Sequence, residues 1–161
     1  MKLLSWKQRD KNAGIESAAA HRFDGAADGA AVLERLEEAL GRRLELGRPL
    51  AIVLTAPMLP LLPVDPPSPA AVATAAEIAM SLLKPRHFVG WLERDRLLIV
   101  MPDGTGAEAR RTAFEWSAEM QRRCPREARL WRFVTMEAGD AASAEDLVAS
   151  AYGRLKVRRA A

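Results

Sequence analysis

The chain has 161 residues, 49% of them hydrophobic and 28% charged, an ordinary globular composition at a length that favours one domain. A single cysteine, Cys124, and two well-separated histidines, His21 and His87, exclude a disulfide framework and a Cys/His zinc site within one chain. No apolar run reaches the ~20 residues that cross a bilayer, and the residues after Met1 turn polar too early for a signal peptide, so a cytoplasmic protein without a membrane span is expected.

Lys and Arg number 24 against 21 Asp and Glu, and the excess is spread along predicted helices. Its densest pieces, Arg42-Arg43, Arg110-Arg111, Arg122-Arg123 and Arg158-Arg159, read as solvated helix ends and not as a nucleic-acid stripe.

Residues 1–28 show no sustained period and read as a flexible tail. From Asp28, an N-cap, Leu33, Leu36, Leu40 and Leu44 recur at helical spacing until Gly47, predicting an amphipathic helix with those leucines inward. Residues 49–56 are too short and too uniformly apolar for anything but a strand buried on both faces, ending at Pro57. The stretch 57–67 is a proline-rich loop that neither regular element can continue, yet it carries Met58, Leu59, Leu61, Leu62 and Val64.

Ser68 then stands at an N-cap with Pro69 at the first helical position, and Val72, Ala75, Ala76, Ala79, Leu82 and Leu83 supply a stripe that Pro85 closes. Residues 87–92 and 96–101 are strand-like runs around Glu93-Arg94-Asp95, a hairpin spacing. Thr105 and Glu108 form a capping-box pair before a helix with Ala109, Ala113, Trp116, Met120 and Cys124 on one side. A strand over 130–136 follows. Ser143 with Asp146 opens a last helix with Leu147, Val148, Ala151, Tyr152 and Leu155 inward, and the chain is expected to trail off after Lys156. The order helix, β-α-β-β-α-β, helix predicts an α+β, ferredoxin-like sheet with added N- and C-terminal helices, all within one domain over 29–161. That architecture decides no function by itself.

The run from His87 to Pro102, followed by Ala107 and Ala109 in a helix, resembles the signature hairpin of the GGDEF family of diguanylate cyclases. The lead-in Gly47-Arg48-Pro49-Leu50, the strand end Val134 to Gly139 and the final Asp146 to Lys156 fall where that family has counterparts, so the resemblance covers about residues 30–158 and implies a nucleotidyl-cyclase-like fold. In the signature turn Glu93-Arg94-Asp95-Arg96-Leu97, the resemblance places Glu93 and Arg94 at the two glycines that admit the nucleotide. Asp95 agrees with the family pattern, and Arg96 stands where a carboxylate helps to hold a divalent ion. The family's metal aspartates would fall near Thr55 to Met58, where no acid occurs, the nearest being Asp65. The phenylalanine-lysine and asparagine-aspartate elements of the family are displaced by the proline-rich loop. Phosphoryl chemistry without convergent carboxylates cannot hold its metal ions, so no catalysis, no metal site and no cofactor are expected. At the family's inhibitory site, an arginine and an aspartate three apart correspond to Lys84 and His87, which disfavours cyclic di-GMP binding through that motif.

Four residues have local readings. Asp95 caps its own turn, His87 is a surface residue, Cys124 packs, and Lys156 is a cation near a helix C-terminus. The apolar loop either folds over the vacated nucleotide cleft or presents its side chains to another protein. The functional expectation is a non-catalytic regulatory or scaffolding module, acting through protein contacts in a bacterial cyclic di-GMP-linked process such as exopolysaccharide synthesis or motility. Its partner would be another protein, whether a second copy or a polysaccharide-synthesis or signalling component. The alternative is a receptor for cyclic di-GMP or a guanine nucleotide, using Lys84, Arg86, His87 and Arg94. A nucleic-acid reader is not expected, because the central strand Arg96 to Met101 has no aromatic on which bases stack.

Overall fold

The computed structural model describes residues 29–57, 68–93, 96–139, 141 and 143–160, with side chains as far as Leu155. The expectations for the 1–28 tail, for Met58, Leu59, Leu61, Leu62 and Val64, for Arg94 and Asp95, and for the side chain of Lys156 lie outside the described residues.

The elements in chain order are α1 (Gly29–Leu46), β1 (Leu50–Pro57), α2 (Pro69–Leu82), β2 (Phe88–Glu93), β3 (Arg96–Pro102), α3 (Gly106–Arg123), a single 3₁₀ turn (Ala128–Leu130), β4 (Trp131–Glu137) and α4 (Ala144–Ala160). The strands form one sheet in the order β2-β3-β1-β4, and every neighbouring pair is antiparallel. β1 and β2 therefore run parallel with β3 between them, as do β3 and β4 with β1 between them. This is the split β-α-β pattern of the predicted ferredoxin-like arrangement.

Alternation along β1 explains its uniform apolarity. Leu50, Ile52 and Leu54 face a core shared with α1 and α4, together with Leu98, Val100 and Val134. Ala51 and Val53 face a second core under α2 and α3, together with Leu97, Ile99, Met101 and Trp116. Successive strand side chains point to opposite faces, so a central strand covered by helices on both sides must be apolar throughout.

The helix ends follow their local signals. The Ser68 side chain accepts from the Ala71 N–H at 3.2 Å, with Pro69 opening α2. Thr105 and Glu108 make the reciprocal capping box at α3. Ser143 Oγ accepts from the Asp146 N–H at 3.1 Å at the start of α4.

The structure corrects several boundaries. Leu44 is 69% exposed, not inward: one turn beyond buried Leu40, α1 has run past the end of the sheet and is about to turn at Gly47, whose φ of 65° suits glycine. Pro57 is still paired in β1, opposite Trp131, and α2 ends at Leu82, before Pro85. Glu93 is the last paired residue of β2, not part of the hairpin connection. The chain stays helical from Lys156 to Ala160. The 3₁₀ turn before β4 was not indicated by any periodicity.

Candidate functional site

The register Thr55↔Leu97 sets the end of β1 beside the start of β3, so the β2-β3 hairpin and the β1 terminus share one end of the sheet. Glu93 pairs with Arg96, and the register shifts between Trp91 and Glu93, leaving Leu92 as the extra, buried residue of a bulge. The Arg96 guanidinium lies 3.2 Å from a Glu93 carboxylate oxygen, both side chains being three-quarters or so buried. It also lies 5.0 Å from the centre of the Tyr152 ring of α4, within cation–π range. Arg96 is thus held from two sides, by its hairpin partner and by the last helix.

Across β3, the β1 terminus offers no carboxylate. Thr55 is fully buried, and its hydroxyl donates to the Arg132 carbonyl of β4 at 2.8 Å. Ala56 is 5% exposed and Pro57 ends the strand. Among the described residues no three His, Cys, Asp or Glu side chains form a grouping that could hold a metal ion.

The same end of the sheet holds the N-terminus of α2. A helix N-terminus favours an anion, because its first N–H groups lack partners and the dipole is positive there. The anion here is internal: the Glu127 carboxylate accepts from the Ser68 N–H at 3.0 Å and from its hydroxyl at 2.7 Å. Two other helices are tied the same way, α3 by Glu137 accepting from the Gly106 N–H at 2.6 Å, and α4 by Glu37 accepting from the Ala144 N–H at 2.7 Å. Partners 59, 31 and 107 residues apart leave no local pattern, so sequence reasoning missed all three.

Lys84, Arg86 and His87 occupy the α2-β2 connection, at the opposite end of β2 from Arg96. With ~3.3 Å per residue, the six residues of β2 separate the two ends by roughly 20 Å. The structure therefore gathers Lys84, Arg86 and His87, but does not bring them together with the Glu93–Arg96 end, where Arg94 belongs in sequence. Lys84 and His87 are engaged with one another: the His87 N–H donates to the Lys84 carbonyl at 3.0 Å, and the Lys84 N–H donates to His87 Nδ1 at 3.3 Å. Arg86, at φ 78°, donates to Asp103 at 2.9 Å, and Arg48 approaches the same carboxylate oxygen at 3.7 Å.

Burial lowers the pKa of His87 from its ordinary 6.5, the Lys84 cation adds to the effect, and Glu108 opposes it. The unfolded imidazole takes up its proton first as pH falls. The stability contribution is therefore full above 6.5 and declines below it, towards the lower folded value. In an NMR titration, the His87 ring is expected to show a midpoint below 6.5; a midpoint at or above that value would contradict the partly buried, Lys84-facing placement.

No protein-family profile and no curated protein sequence matches the chain. Solved structures do. The GGDEF domain of PA1120 (TpbB or YfiN) from Pseudomonas aeruginosa superposes with a TM-score of 0.69 at 19% identity, over 84% of this chain and 86% of that one. The chain has the fold of a GGDEF domain. The diguanylate cyclase SiaD from Pseudomonas aeruginosa, solved in complex with its activator SiaC, matches 97% of this chain at a TM-score of 0.68 and 14% identity, this chain spanning 65% of it. The GGDEF domain of DgcB from Caulobacter crescentus, solved with c-di-GMP, matches 83% of this chain and 85% of that one at a TM-score of 0.63 and 11% identity. The β2-β3 hairpin of this fold carries Glu93 at the end of β2 and Arg96 and Leu97 at the start of β3. No described helix is long and apolar enough to cross a membrane.

Proposed function

We propose that this chain is a GGDEF-family domain that does not synthesise cyclic di-GMP and acts as a regulatory or scaffolding module through protein contacts in a cyclic di-GMP-linked process. The observation that carries the proposal is Arg96, fixed by Glu93 and Tyr152 beside the acid-free terminus of β1. A guanidinium at a signature carboxylate position repels a divalent cation, and the adjacent strand end supplies Thr55, Ala56 and Pro57 where metal ligands would be needed. The Glu127 carboxylate at the α2 N-terminus adds like charge against a phosphate at the same end.

Action through protein contacts draws support from the fold's likeness to SiaD, which was solved with a protein activator. Exopolysaccharide synthesis or motility, a bacterial source and a cytoplasmic site follow from the family resemblance and belong to the same proposal. The receptor reading is the weaker one, because His87 Nδ1 is taken by the Lys84 backbone N–H and the Arg86 guanidinium is drawn to Asp103.

The test is incubation of the purified chain with GTP and Mg²⁺ or Mn²⁺, paired with calorimetry against cyclic di-GMP and GTP. The expected outcome is no product above a protein-free control, and no binding at or below about 10 μM, which corresponds to roughly −7 kcal/mol. Product would overturn the non-catalytic reading. Binding of either nucleotide at that strength without product would favour the receptor.

A further inference from the structure

The sheet is bounded by β2 and β4, and its two edges are finished differently. Along β2 the register breaks at the Leu92 bulge, and a bulge twists a strand edge away from further pairing. β4 has no such break: its register against β1 runs unshifted from Ala51↔Glu137 to Pro57↔Trp131. From Trp131 to Met136 its residues are aromatic, β-branched or apolar at every position but Arg132, a composition that favours pairing with another strand. The Ala138 N–H donates to the Leu50 carbonyl at 2.8 Å, so Leu50 and Ala138, one step beyond Ala51↔Glu137, form a hydrogen-bonded pair. Such pairs alternate with non-bonded ones, which turns the backbone groups of Arg132, Val134 and Met136 towards β1 and those of Phe133, Thr135 and Glu137 outward. The Thr55 hydroxyl, reaching the Arg132 carbonyl from β1, agrees with that assignment. Among the described residues the Phe133 N–H and carbonyl and the Thr135 N–H have no partner. The Thr135 carbonyl has one: the exposed Arg154 guanidinium of α4 donates to it at 3.2 Å.

We propose that Arg154 guards this edge against a second copy of the chain. Thr135 is the middle of the outward-facing stretch, so its carbonyl is an acceptor that an added strand would need, and Arg154 occupies it. Antiparallel pairing of β4 with a second β4 about Thr135 has its two-fold axis perpendicular to the sheet, which sets both copies of α4 on the same face. Both guanidiniums would then have to leave their carbonyls, and the two cations would meet across the junction, where like charges repel. Arg154 thus does for β4 what the bulge does for β2. Nothing in this role depends on a nucleotide or a metal ion.

The test is sedimentation velocity over a concentration series, comparing the full chain as wild type, Arg154→Ala and Arg154→Lys. Alanine and lysine both suit an exposed helix position, so melting curves close to wild type verify that the variants fold. Arg154→Ala is expected to self-associate at a concentration lower by about tenfold or more, because the wild-type pair must break two guanidinium–carbonyl bonds. Arg154→Lys keeps the cation and is expected to stay close to wild type. Amide hydrogen exchange locates the contact. The Phe133 and Thr135 amides are expected to exchange fast in the wild type and to become protected in the associated alanine variant, while Val134 and Met136 are protected in both. Arg154→Ala sedimenting as wild type at every concentration would overturn the proposal, as would Arg154→Lys associating as readily as Arg154→Ala. So would association that leaves Phe133 and Thr135 unprotected, or protection of those two amides in the unassociated wild type, which needs no variant to detect.

Discussion

Replacing Trp116 with alanine is expected to lower the stability of the fold by about 3–5 kcal/mol, the range for truncating a buried large aromatic. The indole is fully buried under α3 and meets Phe133 edge-on at 5.3 Å between ring centres. Its N–H donates to the Ala75 carbonyl of α2 at 3.0 Å. The substitution opens a cavity in the core that joins α2 and α3 to the sheet, and it also strips a partner from Ala75. Thermal denaturation should show the midpoint falling by roughly 10 °C or more for a domain of this size. A fall of only a degree or two would mean that this core is not packed as described.

The second large effect comes from attempting to restore an acid at the β1 terminus. Thr55→Asp replaces a buried hydroxyl that donates to the Arg132 carbonyl with a group that, when ionised, can only accept. An uncompensated buried carboxylate costs about 3–5 kcal/mol, comparable to breaking a buried ion pair. Burial raises the pKa of such an aspartate above its unfolded value, so the folded state of the variant holds its proton to higher pH than the unfolded state does. The variant's deficit relative to wild type is therefore smallest near pH 4 and grows as pH rises towards the folded pKa, reaching its full value above it. Melting curves of both proteins across that range check the sign; a deficit that widened on acidification would contradict it. The variant is expected to gain no cyclase activity, because a lone acid on the face of the sheet that Leu97 shares, opposite to Arg96 and Tyr152, does not make a metal site.

The parts of this molecule that could be read from its sequence are those written locally. Ser68-Pro69, Thr105 with Glu108, and Ser143 with Asp146 each place a capping side chain within three residues of the donor it serves, so their roles follow from spacing alone. The two-sided burial of β1 was likewise legible, because no alternation interrupts its apolar run. What escaped depends on the tertiary fold. Leu44 continues the stripe of Leu33, Leu36 and Leu40, and periodicity cannot tell where the sheet beneath a helix stops. The glutamates that tie Ser68, Gly106 and Ala144 come from distant parts of the chain. Within the site, the sequence singled out Arg96 but not what holds it, since Tyr152 lies 56 residues further along and reaches it only when α4 packs on the sheet.

The central claim, that this GGDEF fold has lost the capacity to hold a catalytic metal ion, is tested most directly by electron paramagnetic resonance of Mn²⁺ titrated into the protein with and without GTP. The free-ion signal is expected to match that of buffer, or of GTP alone, at every protein concentration, because Arg96 and the Thr55 to Pro57 strand end present no carboxylate to the ion. Stoichiometric loss of the free Mn²⁺ signal on adding protein would contradict the account.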